Sequence, residues 1–326
     1  MTPHLVYCDE QGHIFDHPFY LMAVNDGQRV RPPEASELIS VPPGSDLFSL
    51  PGRSPIGLNP ETLGPEVVRG VSATSTFISP AYLRLALPAA VREDPAPDLP
   101  LFAYAPLGYW KGRFVTTAVR VDRSTRQDPL RFDLAHIARL SAKLLKAYPK
   151  NRLIHHLHHC ATVYGCRAAQ NFVLGREECP LPSSPTCNAA CLGCLSHNPA
   201  GEVKAAHNRI DFVPTASEIA EVALLHIGRV RQPVVSFGQG CEGEPLLVAE
   251  TLVDAVRLIR KKTDRGTIHL NTNGSRPDAV SALLEAGLDS IRLSINSFRP
   301  SLYTTYFRPR RYQLADVLKS GRLVRE

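Results

Sequence analysis

The chain has 326 residues, 44% apolar and 21% charged, enough for about two globular domains and unlike a disordered or fibrous composition. No apolar run approaches the ~20 residues of a membrane-spanning helix, and Met1-Thr2-Pro3-His4 opens no secretory signal. The net charge of +6 is scattered, with small basic groups at Arg257, Arg260, Lys261 and Lys262 and at Arg308, Arg310 and Arg311, so the coherent basic stripe that nucleic acid requires is missing.

Residues 1–130 are proline-rich and lack long helical periodicity. Pro32-Pro33, Pro42-Pro43, Pro95-Ala96-Pro97 and Pro100 cut them into short pieces. Arg113–Val121 is rich in β-branched residues and is the clearest strand. Leu5–Cys8, Phe19–Val24 and Leu101–Tyr104 are weaker ones. The expectation is a small, mostly β, irregular domain to which no chemistry attaches.

Helical spacing begins at Asp133, a suitable N-cap, and residues 131–179 form a helical bridge. Leu134, Ile137, Leu140, Leu144 and Tyr148 recur up to Pro149. A second helix starts near Asn151, with Ile154, Leu157, Ala161 and Tyr164 on one face. His155 and His159 stand at i and i+4, a spacing that can hold a metal but that is also common on a polar helix surface.

Residues 180–326 change character again. Thr186-Cys187-Asn188-Ala189-Ala190-Cys191-Leu192-Gly193-Cys194 puts three thiols on one tight loop. Thiolates are soft ligands that select zinc or iron–sulfur clusters. A cubane cluster normally takes four cysteines, so three leave one iron open to a ligand from outside. Eight cysteines, three of them clustered like metal ligands, argue for a reducing compartment, and cytoplasmic location is the expectation.

After this loop the chain alternates strands and helices. Thr215-Ala216-Ser217-Glu218 is a capping box opening a helix. Val234–Phe237, Thr267–Leu270 and Ser290–Ile295 are strands, each followed by a helix; the one after Thr267–Leu270 closes on Gly287. Such alternation predicts parallel βα units, with functional loops at the strand C-terminal ends.

Cys-x3-Cys-x2-Cys followed by these loops resembles the radical S-adenosylmethionine (SAM) superfamily, over roughly residues 180–326. The resemblance implies an α/β fold, a partial (β/α) barrel of about four βα units, preceded by the β-rich domain and two bridging helices. It implies a [4Fe–4S] cluster on Cys187, Cys191 and Cys194 whose open iron chelates the methionine moiety of SAM. It further implies reductive cleavage to a 5′-deoxyadenosyl radical that takes hydrogen from a small-molecule or peptide substrate, with an electron donor such as flavodoxin or ferredoxin. Gly243, Glu244 and Pro245 resemble the loop that binds the methionine amino group. Asn273, in Asn271-Thr272-Asn273-Gly274, resembles the third-strand loop, and Ser294 and Asn296 the fourth-strand polar pair. Taken singly, each of these is also an ordinary turn or cap.

Two departures stand out. The family places an aromatic residue before its third cysteine to meet the adenine, where this chain has Gly193; Leu192, Leu195 or a later strand would have to substitute. The sequence also ends in the helix after the fourth strand, so a C-terminally truncated member is expected, with Ser290–Ile295 as an open sheet edge unless Arg113–Val121 pairs against it. A rival reading is a structural zinc or interaction module without catalytic activity, whose fourth ligand would be Cys179 or His197. A thioredoxin-like Cys191-Leu192-Gly193-Cys194 is the weaker rival, because Cys187 joins the same loop. Cys160, Cys166, Cys179 and Cys241 could in principle hold an auxiliary cluster, against which their irregular spacing argues.

Overall fold

In a computed structural model, residues 2–99, 103–124, 128–197 and 208–325 are described. The chain divides into two compact units, residues 1–132 and 133–326.

The first unit is antiparallel β structure. Its main sheet has twelve strands, with His4–Cys8 near the middle, flanked by Ile14–Met22 and Gly108–Trp110. A smaller sheet of three strands includes Val24–Asn25. Arg113–Arg120 is a long strand, and its Thr116 and Thr117 are buried like Val115, while Val119 is exposed. It pairs with Tyr82–Arg84, Gly108–Trp110 and Leu38–Ser40, so its ladder is used within this unit. Of the expected Leu101–Tyr104 strand, 101 and 102 lie outside the described residues, and the strand observed is Tyr104–Pro106. Met22, Val24 and Val115 form one patch of core, and Leu58 packs with Ala23 and Ala89 in another.

The second unit opens with three helices. Asp133 caps α1 (Leu134–Ala147) by accepting from the His136 amide, and Asn151 caps α2 (Arg152–Thr162) by accepting from the Ile154 amide. The buried face of α2 carries Leu153, Ile154, Leu157, Cys160 and Ala161. Tyr164 falls beyond its end rather than on that face. A third helix, α3 (Arg167–Leu174), ends on Gly175 in the left-handed conformation.

A parallel sheet follows, in the order β1 (Glu178–Pro180), β2 (Val234–Phe237), β3 (Thr267–Thr272) and β4 (Ser290–Leu293). The helices are α4 (Ala216–Arg229), α5 (Ala249–Arg260), α6 (Pro277–Ala286), α7 (Pro300–Phe307) and α8 (Leu314–Arg325). Thr215 and Glu218 make the reciprocal capping box at α4, and Gly287 caps α6 at φ 108°. Val235, Phe237, Ile268 and Leu270 are fully buried, as a parallel sheet covered by helices demands. Arg260, one of the basic residues noted on α5, is structural: it donates to the Gly287 carbonyl and pairs with Asp289. The four strands form an open sheet with no closed barrel among the described residues, and β4 pairs there with β3 alone. No described helix is long and apolar enough to cross a membrane.

Candidate functional site

The loops that leave β1, β2, β3 and β4 meet at the C-terminal end of this sheet. The loop after β1 carries the three thiols. Cys187, Cys191 and Cys194 are each partly buried. Burial pushes the Cys187 thiol up, and it pushes Cys191 up to about 12, helped by the negative charge of Cys187 and Cys194 beside it. That mutual influence means the three sulfurs share one neighbourhood. Cys194 is different. Burial raises it, but the Ser196 amide and hydroxyl, the His197 amide and Arg209 together outweigh burial and pull it below its ordinary value. Arg209 Nη2 lies 3.7 Å from its sulfur, while its Nε donates to the Ser196 hydroxyl at 3.2 Å. Arg209 is fifteen residues away in sequence and was invisible there.

The loop after β2 clamps this thiol loop. The Gly243 amide donates to the Ser184 carbonyl at 2.6 Å, and the Glu244 amide to the Thr186 carbonyl at 2.8 Å. A Cβ on residue 243 would overlap the Thr186 carbonyl oxygen, so only glycine permits this approach. At the other end of the same loop, Gly238 holds φ +78°, and a side chain there would strike the Asn271 carbonyl.

Glu242, which sequence reasoning passed over, is buried and accepts five hydrogen bonds. One oxygen takes the amides of Gly238 and Gln239, both at 2.7 Å, and the other takes Ser183 N, Ser183 Oγ and Ser184 N. It staples the approach to the thiol loop onto the turn after β2.

Glu244 is also buried. It accepts from the Thr272 hydroxyl, from the Asn273 amide at 2.8 Å and from the Leu246 amide at 3.0 Å. Burial lifts its carboxyl to about 7 against the pull of those donors. Pro245 begins a single 3-10 turn behind it. Asn273 reaches across from the β3 loop, its side-chain amide donating to Asn188 Oδ1 at 2.7 Å, and Asn188 donates to the Ser275 hydroxyl at 2.9 Å. Ser294 and Asn296 lie just past β4, which is two residues shorter than the expected Ser290–Ile295 strand. Ser294 is half-buried, its amide bonded to the Thr272 carbonyl at 2.9 Å, and Asn296 is exposed.

The segment around α7 covers the other side of the thiol loop. Ala190 and Leu192 donate their amides to the Phe307 and Tyr306 carbonyls, both at 3.0 Å, and Arg310 donates its amide to the Asn188 carbonyl at 2.8 Å. The Tyr306 hydroxyl stands where a side chain on Gly193 would go, 2.8 Å from the ideal Cβ position. An aromatic side chain from α7 thus stands beside Gly193.

The zinc alternative loses Cys179 as a ligand: that thiol is wholly buried in β1, donates to the Pro180 carbonyl at 3.8 Å, and has Arg229 and Glu178 as its charged neighbours. The His155/His159 pair does not converge either. His155 Nε2 bonds the Pro149 carbonyl, and His159 packs edge-on to Tyr164.

Residues 181–326 match the family model described as the radical SAM superfamily. A curated relative is the GTP 3′,8-cyclase of Chlorobaculum tepidum, 28% identical over 128 residues, 39% of this chain and 35% of that protein. The chain therefore spans about a third of the length of the curated relative it matches. A solved structure, hexahistidine-tagged anSMEcpe with bound AdoMet, is 20% identical over 45% of this chain and 40% of its own, at a TM-score of 0.33. The match over residues 181–326 is thus to the radical SAM superfamily. The cofactors of that superfamily are a [4Fe–4S] cluster and S-adenosylmethionine.

Proposed function

We propose that this protein is a radical SAM enzyme whose cluster is held by Cys187, Cys191 and Cys194. The observation that carries this reading is the clamp on the thiol loop: Gly243 and Glu244 by backbone and Asn273 by side chain, the loop residues expected to serve SAM. The donor set fits the group. Three partly buried thiols share one loop, and the Ser196 and His197 amides with Arg209 supply the donors that stabilise thiolate at Cys194. When bound, such a cluster supplies the electron that splits SAM into methionine and a 5′-deoxyadenosyl radical, which takes hydrogen from a substrate.

The chain's own residues bind and orient. Gly243, Glu244 and Pro245 form the wall toward the methionine amino group, and Glu244, buried at the junction of three loops, offers a carboxylate to an ammonium. Asn273, Ser294 and Asn296 present polar groups at the ends of β3 and β4 for the carboxylate and ribose. Tyr306 takes the adenine-facing role that Gly193 vacates. An external one-electron donor, of the flavodoxin or ferredoxin kind, completes the reaction.

Anaerobic reconstitution with iron and sulfide followed by reduction in the presence of SAM tests this. The expected products are 5′-deoxyadenosine and methionine, with about four iron atoms per chain on the cysteine triad. Cluster formation that survives Cys187→Ala, Cys191→Ala and Cys194→Ala together would overturn the assignment.

A further inference from the structure

One face of α2 and the loop after β2 bring together a second donor set. His156, Cys160 and Cys241 each offer one ligand atom, and these atoms all lie within 4.8 Å of one another. His156 and Cys160 are one helical turn apart, and His156 Nε2 is 3.4 Å from Cys160 Sγ. Cys241 comes from the middle of the loop that ends in Gly243 and Glu244. Both cysteines are buried, while His156 is half-buried. A cavity of about 40 Å³ opens on the sulfurs, lined by Cys160, Cys241, Cys166, Gln239 and Gly240 among others. That volume accommodates a small ion and a water.

The chemistry of the set is specific. Two thiols and an imidazole converging on one point make a soft site for a single d10 ion, in the pattern of three protein ligands and one open tetrahedral position. The ligands of a cubane cluster would each sit on a different iron and splay apart, so this convergence argues for one ion. Cys179, sealed within β1, takes no part.

We propose that His156, Cys160 and Cys241 bind one zinc-type ion, with a water from the cavity in the fourth position. Loading displaces the protons of the two thiols, and His156 bonds through Nε2 with its proton on Nδ1. The ion then fastens α2 to the loop after β2. It fixes that loop three residues ahead of Glu244 and two ahead of Gly243.

The test uses the full chain carrying Cys187→Ala, Cys191→Ala and Cys194→Ala, so that iron chemistry at the first loop is removed. Titration with Co²⁺ should load about one ion per chain, with tetrahedral d–d bands and a thiolate-to-cobalt charge-transfer band. Adding Cys160→Ser and Cys241→Ser should abolish both. Because that variant risks misfolding, X-ray absorption on the zinc-loaded triple variant gives a second reading, expected to show two sulfurs with the remaining ligands nitrogen or oxygen. No cobalt bound, cobalt bound unchanged after the serine substitutions, or zinc with no sulfur ligand would each overturn the site.

Discussion

The two thiol regions of the second unit differ in how their sulfurs are presented. Cys187, Cys191 and Cys194 sit on one short loop, partly open, with Cys194 already drawn toward thiolate by amides and Arg209. Cys160 and Cys241 come from a helix and a distant loop, are buried free thiols, and are hydrogen-bonded to each other and to His156. Hydrogen bonding from Cys160 together with burial pushes the Cys241 thiol far up. In the first region Cys194 alone is drawn toward thiolate before any metal arrives, while burial holds Cys187 and Cys191 as neutral thiols. The second becomes anionic only when an ion displaces its protons.

The largest effect expected is on the first region alone. Replacing Cys187, Cys191 or Cys194 by Ala should reduce iron at that loop to background and abolish 5′-deoxyadenosine formation, while zinc at His156, Cys160 and Cys241 persists. Elemental analysis of each variant checks both counts together. Loss of both metals at once would break the distinction between the regions.

Gly243→Ala attacks what the regions share, because Cys241 and Gly243 belong to one loop. The added methyl overlaps the Thr186 carbonyl, so loop or backbone must move, at a cost of about 3 kcal/mol. Urea unfolding should show the lower midpoint, and SAM affinity in the reconstituted protein should fall with it. A midpoint equal to the wild type would mean the clamp on the thiol loop is not tight.

Glu244→Gln is expected to be somewhat milder and dependent on pH. The folded carboxyl titrates near 7 through burial, against an ordinary value of 4.5, so the folded metal-free chain binds more protons between those limits. Its stabilising contribution is complete below about pH 4.5 and is lost as pH rises toward 7, about 3 kcal/mol in all. Gln does not titrate, so that decline should flatten. At low pH the wild-type carboxyl is itself protonated and already carries one donor, so the NH2 group of Gln costs little there. Thermal melts across pH 5–8 compare the slopes; parallel curves for the two proteins would remove Glu244 as the titrating group.

The smallest effect is a control. Thr215→Ala removes the cap of α4, distant in sequence from both thiol sets, for about 1 kcal/mol. The melting temperature should fall slightly while iron and zinc contents stay at their wild-type values. Metal loss in this variant would show that the other substitutions act through general stability.

Local signals announced much of the second unit. The caps at Asp133, Asn151 and Thr215 and the Gly287 stop are side-chain and backbone effects within a few residues, so they read directly. The cysteine triad was legible because its ligands share one loop. What escaped had few residues or distant partners. α3 has only eight residues, too few to display a period, and β1 has three, ending in proline. In the first unit many strands are two or three residues long, and Pro18 and Pro55 fall inside longer ones, so no alternation marks them. Arg209 at Cys194 and Tyr306 at Gly193 depend on tertiary approach. On α2 the i and i+4 spacing that converges with a third side chain lies one position along: His156 and Cys160 meet Cys241, whereas His155 and His159 do not.

The pairing of the thiol loop with α7 has a further consequence, in the order in which the molecule comes apart. The Ala190 and Leu192 amides are closed by carbonyls of residues 307 and 306, at the C-terminal end of a helix of only eight residues. Amide protection on the thiol loop is therefore set by the local opening of α7, a subglobal event cheaper than unfolding the buried strands β2 and β3. The loop and α7 are expected to open together, with matched amide exchange at Ala190, Leu192 and along α7 while the sheet beneath stays folded.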